Sequence, residues 1–447
     1  MKPIAKVVLG AGALFVLAQF VRPRIATKPA TAELRVPPGV KQVLEKSCYS
    51  CHSDERELAW FDQIVPGYWI VRHDILTARS HLNFSTLGAA PPAAQRAEFF
   101  EAVNMIQLGA MPLRQFTALH SDARVTPQEL AELKAYLAPW GIEPGASTGE
   151  AERTIFTSLP DVQRERNGLA LDPSFEGWGL LSVTDRGDNN TFRFILGNDI
   201  AMRAAQSGNI SPWPDGTRFA KIAWEQELGA GGLIHPGRFV QVELMVKDAH
   251  RYRETDGWGW GRWRGLDLKP YGADTHFVNE CTGCHLPVRG NDYVYTLPIT
   301  SAQIKREEVV NRAAASLPTN LPWQPLHWRA LTMYVDRKTH KVATLFANDR
   351  ALQVLDRKDS SIGTRPVYQS GSVLALVTWA QRDDPHWFGG RIPSTPLMVE
   401  FVQVSPERSS QQYRVYQGES FAESRPDAGY AAQRANFILS LKPVSLP

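Results

Sequence analysis

Excess charge, cysteine and long apolar runs are all scarce in this chain of 447 residues. Lys and Arg number 49 against 46 Asp and Glu, a formal net charge of +3. That surplus is too small to suggest a nucleic-acid partner. The only four cysteines fall in two short stretches, Cys48-Tyr-Ser-Cys-His52 and Cys281-Thr-Gly-Cys-His285. A structural zinc wants four ligands from paired motifs, so two pairs more than 200 residues apart would have to meet at one metal. A thioredoxin-like redox pair lies in a βαβ pattern, and neither stretch has one around it. The uncharged, mostly apolar run from Val7 to Val21 covers fifteen residues. That is short for a membrane span and fits a signal-peptide core.

What is present is C-x-x-C-H, twice. This is the attachment pattern of c-type haem. Two thiols add to the two vinyl groups of one porphyrin, and the adjacent His lies under the iron as proximal ligand. Cys48, Cys51 and His52 are expected to hold one covalent haem c, and Cys281, Cys284 and His285 a second. Thirteen Trp suit the walls of a porphyrin pocket, and equally a β-rich core.

The N-terminal pattern is one of membrane targeting. Lys2 and Lys6 precede the apolar run, and Arg22 and Arg24 follow it. Ala30-Thr-Ala32 is a distant cleavage site, so an uncleaved inner-membrane anchor with the body in the periplasm is preferred to a cleaved signal peptide. Residues 25–38, with Pro29, Pro37 and Pro38, read as a tether. The length suggests about three folded domains. The expected order is an anchor over 1–28, an α-helical haem domain over 29–148, an antiparallel β haem domain over 149–305, and a haemless β repeat over 306–447.

In the first domain, helices are expected over Val40–Lys46, Trp69–Ser80 and Gln95–Gln107, with a Pro/Ala linker over Ala89–Ala94. Thr126-Pro-Gln-Glu129 is a helix start with a capping box. Met111, in Gly109-Ala-Met-Pro112, is the candidate sixth ligand on a stiff loop; His73, His81 and His120 are its rivals. Met/His ligation raises the reduction potential and suits electron transfer. The stretches Cys48–Ser53, Trp60, Trp69–His73, His81-Leu-Asn-Phe-Ser85 and Gly109–Pro112 resemble a haem-binding domain of bacterial c-type cytochromes. The resemblance covers about 100 residues and implies haem, not a particular partner.

From about residue 150 short alternating runs appear between Gly, Pro, Asn and Asp turns, the pattern of an antiparallel β protein. Strands are expected over Gly179–Thr184, Thr191–Leu196, Arg218–Glu225 and Arg238–Val246, with a helix over Ile200–Gln206. The region then repeats. Trp178 and Asn198-Asp199 match Trp328 and Asn348-Asp349, Ile222–Gln226 matches Val377–Gln381, Val242–Val246 matches Val399–Gln403, and Asn291–Leu297 matches Asn436–Leu441 more loosely. The second copy has no C-x-x-C-H.

Asn198-Asp199, Trp213–Thr217, Phe219–Trp224, Met245–Asp248, Gly257-Trp-Gly-Trp260 and Cys281–His285 resemble the cytochrome P-460 and cytochrome c′-beta family. That resemblance implies an antiparallel β fold and a five-coordinate haem with an open distal face. Members are usually homodimers, so the haemless repeat is expected to take the partner's place. Some members oxidise hydroxylamine with a Lys joined to the porphyrin, and others bind NO or CO. Lys221 matches the cross-linking Lys; on a strand it shares a face with Phe219 and Ala223, either toward the haem or toward solvent. Glu225, Glu227 and Glu243 are the candidate acid–base groups, and Glu243 recurs as Glu400 in the haemless copy. His235, His250 and His276 read as structural. No Met-Pro loop follows His285 within the domain. The expected protein is an exported dihaem c-type cytochrome acting on hydroxylamine, NO or peroxide, served by a periplasmic or membrane electron partner. The alternatives are a gas-binding sensor and a plain electron carrier.

Overall fold

Residues 3–55, 58–138, 162–299, 315–355, 367–405 and 411–444 are described by a computed structural model. The chain divides into two units, Met1–Trp140 and Gly141–Pro447. The boundaries expected at 148/149 and 305/306 lie outside the described residues.

The first unit is helical. α1 spans Pro3–Ala18, and no helix among the described residues is long and apolar enough to cross a membrane. α2 (Pro38–Ser47) starts on Pro38 and buries Val40, Val43, Leu44 and Ser47, one stripe at helical spacing. It delivers the chain to α3 (Tyr49–His52), which carries the first C-x-x-C-H. α4 (Gly67–His81), α5 (Pro92–Gln107), α6 (Arg114–Leu119) and α7 (Pro127–Leu137) follow. α7 opens on the expected box: Glu129 N donates to Thr126 Oγ1 at 3.2 Å, and Thr126 N to Glu129 Oε2 at 2.8 Å. The linker expected over Ala89–Ala94 is shorter, because Pro92 has the φ a first helical turn needs and α5 begins there.

The stretch read as a tether is part of the domain. Lys28 N bonds to Asp54 O, Thr31 N and Ala32 N to Ser85 O, and Leu34 N to Phe84 O. Tyr49 Oη donates to Glu33 Oε1 at 2.8 Å, and Leu34 is 4% exposed. Proline does bar helix and sheet here, but backbone groups and one apolar side chain still find partners. Leu34→Ala is therefore expected to cost this unit about 2–5 kcal/mol, read by urea unfolding; a free tether would show no change.

Among its described residues the second unit forms one antiparallel sheet of 12 strands. The first repeat supplies β1 (Gly179–Arg186), β2 (Thr191–Gly197), β3 (Arg218–Leu228), β4 (Ile234–Lys247), β5 (Trp258–Arg264) and β6 (Lys269–Pro270). The second supplies β7 (Arg329–Asp336), β8 (Lys341–Ala347), β9 (Val373–Asp384), β10 (Trp387–Val404), β11 (Gln411–Gln417) and β12 (Ala422–Ser424). β4 pairs with β7 at Ile234 and Val335, and β1 with β10 at Asp185 and Arg391. These two pairings close β1–β4 and β7–β10 into a ring, so both repeats give one sheet face to a shared core around Trp224, Trp263, Met333, Trp379 and Phe401. The repeated Asn does the same work twice. Asn198 Oδ1 accepts from Ala201 N, capping α8 (Asp199–Ser207), and from Arg218 N, tying α8 to β3. Asn348 Oδ1 accepts from Ala351 N and Val373 N.

The outer faces differ. In the first repeat, Phe219, Met245, Trp258, Trp260 and Phe277 pack with Cys281 of α9 (Val278–His285). In the second, the helix Ala428–Ser440 covers the face with Ala435 and Ile438 against Leu345, Leu374 and Leu376. The loose match of 291–297 with 436–441 is thus not structural. The first stretch is turn and extended chain, and the second is mostly that covering helix.

Candidate haem sites

In the first unit, α3 turns His52 toward the loop after α4. His52 Nδ1 lies 2.9 Å from Leu82 O. A carbonyl only accepts, so Nδ1 carries the proton and Nε2 keeps the lone pair. That is the tautomer a metal ligand needs, and this outer hydrogen bond is the usual way a ligating His is oriented. The same loop holds α3 again, with Phe84 N donating to His52 O at 2.8 Å and Ser53 Oγ 3.1 Å from Ser85 Oγ. The stretch His81–Ser85 carried the resemblance, yet its task, presenting the Leu82 carbonyl, is a backbone property that side-chain patterns do not spell out. Burial holds His52 below the ordinary histidine range and favours the neutral ring. Burial also pushes Cys48 up to about 12 and Cys51 up to about 11, so both are thiols rather than metal-binding thiolates.

Met111 sits half-buried on the turn that ends α5, its N–H bonded to Met105 O. Of its rivals, His73 and His81 are exposed. His120 Nε2 faces the buried Asp62 carboxylate at 3.0 Å, and its ring stacks on Phe116 at 4.2 Å. A His so engaged has spent the nitrogen it would offer a metal.

In the second unit the same tautomer is built by different means. His285 Nδ1 donates to Tyr293 O at 2.7 Å. Asp292 and Tyr293 both hold positive φ, 48° and 66°, a turn uncommon outside glycine. Asp292 fastens it by accepting from Trp213 N at 2.9 Å, Lys247 Nζ at 2.8 Å and Trp258 Nε1 at 3.2 Å. Those three partners lie in motifs that carried the family resemblance. The Trp260 ring lies 4.6 Å from His285 and the Tyr295 ring 5.0 Å. Burial drops His285 to about 4 and raises Cys281 to about 12. Cys284 is half-buried, and no disulfide joins any of the four cysteines. Among the described residues no group of three or more His, Cys, Asp or Glu could hold a metal ion. The donor sets present, paired thiols beside an oriented neutral imidazole, fit covalent haem.

Across this face runs one charged rung. The strand registers set Ile195, Lys221, Glu243 and Arg262 side by side. Lys221 Nζ lies 2.5 Å from Glu243 Oε2, and Arg262 Nε 3.2 Å from Oε1. Gln241 also donates to Glu243. Lys221 shares its face with Phe219 and keeps 28% of its side chain exposed. The charges of Lys221, Glu243 and Arg262 act on both His285 and Cys281. Burial, against the pull of Glu243, lowers Lys221 to about 8 and so enlarges its neutral, nucleophilic fraction. Burial alone would raise Glu243, but Lys221 and Arg262 bring it down to about 2. An anion so firmly held is better suited to orienting Lys221 than to donating protons near neutrality. Glu225 pairs with Arg238 at the surface. His250 and His276 are exposed, and His235 packs on Tyr334 of the second repeat.

The Glu243 shift fixes a pH dependence. Its folded value lies below the ordinary 4.5, so its contribution is full above 4.5 and is lost as pH falls toward about 2. Glu243→Gln is expected to flatten the loss of stability across that window, measured as urea unfolding free energy at its two ends. An unchanged slope would assign the loss to other carboxylates.

Residues 13–139 match the family described as haem-binding domain, and residues 173–296 match the family Cytochrome P460. The chain is 28% identical over 152 residues to cytochrome c peroxidase Ccp of Escherichia coli (strain K12). That match takes in 31% of this chain and 32% of that protein, so the chain spans about a third of the length of this curated relative.

Proposed function

We propose that this chain, a haem-binding domain followed by a cytochrome P460 domain, is an exported dihaem c-type cytochrome whose second haem acts on small nitrogen or oxygen species. Haem bound covalently at Cys281 and Cys284 would supply an iron centre that exchanges single electrons with such species. The chain's own part is to hold His285 neutral and oriented, and to set Lys221 within a charged rung on the sheet face that packs Cys281. The observation that carries the reading is the Lys221–Glu243 pair on that face. Glu243 holds the amine in place, and burial keeps its proton loosely bound. Those are the conditions under which a lysine can be joined to a porphyrin, as the P-460 resemblance implies for hydroxylamine oxidation.

In the first unit, His52 with Met111 as the sixth ligand would suit electron exchange with a periplasmic or membrane partner. The charge pattern around α1 supports export and attachment to the inner membrane, although α1 with 16 residues is shorter than the ~20 a span requires.

The test is proteolysis of the mature protein followed by mass analysis of the haem peptides. Hydroxylamine chemistry predicts one peptide assembly containing haem, Cys281–Cys284 and Lys221, absent from Lys221→Ala. Haem on Cys281–Cys284 alone would move the assignment to gas binding, or to peroxide reduction. Peroxide is favoured as second reading by the stretch shared with a protein named as a cytochrome c peroxidase.

A further inference from the structure

Besides the shared core and the strand pairings, the second repeat meets the attachment motif's side of the first at the hairpin between β9 and β10. His386 Nδ1 lies 2.7 Å from Tyr295 O and therefore donates to it. The Trp387 ring packs edge-on against the Tyr295 ring at 5.6 Å. Trp387 is itself fixed, its Nε1 donating to Asp188 at 3.2 Å and its face lying 4.3 Å from the Arg186 guanidinium. Tyr295 in turn donates from its hydroxyl to Cys284 O at 2.6 Å and rests its ring on His285. Two residues before Tyr295 stands Tyr293, whose carbonyl orients His285.

The geometry points to His386 and Trp387 as positioning residues for the proximal ligand His285, acting through the Tyr293–Tyr295 segment. The second repeat has no attachment motif of its own and instead completes the haem site of the first. This rests on the reading that Cys281–His285 carries haem, and goes beyond it by giving the second repeat a task. A hydrogen bond from the outer nitrogen of a ligating imidazole raises its basicity and fixes its plane. Hydrogen bonding at that position is one of the levers that set a haem potential. Freeing Tyr295 on its outer side loosens the Tyr293 carbonyl against His285 Nδ1, and a weaker donor favours ferrous iron.

The pseudo-symmetry supplies a control. The β3–β4 hairpin of the first repeat reaches the second at Ile234 and His235, where His235 meets Tyr334 and no attachment motif lies near. The experiment uses full-length holoprotein, with covalent haem per chain measured first by the pyridine haemochrome assay. His386→Ala and Trp387→Ala are expected to raise the reduction potential of the second haem and lower its ferrous iron–histidine stretching frequency in resonance Raman spectra. His386→Gln, which keeps a donor, should restore part of both, and His235→Ala should move neither. Wild-type potential and stretching frequency in His386→Ala and Trp387→Ala at full haem content would overturn the proposal. So would shifts no larger than those of His235→Ala. Wild-type protein without haem on the Cys281 peptide would instead remove the underlying reading, and mass analysis of the haem peptides shows this before any variant is compared.

Discussion

Carbon monoxide added to the dithionite-reduced protein is expected to shift the absorption of the second haem and leave the first unmoved. The reason is ligand supply. Half-buried Met111 stands on the turn after α5 in the first unit, and the proposed function gives it the sixth position on that iron. No Met-Pro loop follows His285 within its repeat, and the nearby groups Lys221 and Glu243 are engaged with each other. Replacing Cys281 and Cys284 by serine should abolish the shift while haem remains on Cys48 and Cys51. The reverse pair, Cys48→Ser with Cys51→Ser, should keep the shift at full amplitude per remaining haem. On the dihaem proposal the effect is all or none, because each haem would stand on its own pair of thiols. A shift that survives loss of Cys281 and Cys284 would place the open iron in the first unit and would sink the assignment of Met111. No shift in any form would make both irons six-coordinate, as in a plain electron carrier.

Much of this was legible in the residues, for a physical reason. The two C-x-x-C-H stretches read directly off the residues, and β alternation puts Lys221 on the face of Phe219, as the strand register has it. The internal repeat was also legible, because Asn198 and Asn348 each cap a helix and tie it to the next strand. What did not read was whatever depends on backbone carbonyls or on register across the repeats. Leu82 and Tyr293 act through their main chains. The closed ring of strands needs the β1–β10 and β4–β7 pairings, which join segments about 100 residues apart or more. The tether reading failed because proline content signals only the lack of helix and sheet. It does not report the burial of Leu34 or the bonds to Ser85.

The second repeat offers the clearest stability test, because it retains the carboxylate of the charged rung without the lysine. Glu400 stands opposite Leu376 on β9, where Glu243 stands opposite Lys221 on β3. Glu400 is 0% exposed. Its partners come from elsewhere: Arg434, on the covering helix, donates from Nε at 2.8 Å and from Nη2 at 2.7 Å, and Tyr413 Oη donates at 2.6 Å. Burial alone would lower the Arg434 guanidinium, yet the hydrogen bonds and charge of Glu400 raise it above its ordinary value. The pair locks the helix Ala428–Ser440 onto the face that α9 covers in the first repeat. Removing one member of a buried ion pair leaves the other uncompensated, so Glu400→Gln is expected to cost about 3–5 kcal/mol. Joint replacement of Glu400 and Arg434 by apolar residues of similar volume should recover most of that loss, since the desolvation cost then disappears as well. Urea unfolding of the holoprotein measures both. A single substitution that costs no more than a surface pair, about 0–1 kcal/mol, would show that this helix is held by its apolar contacts alone.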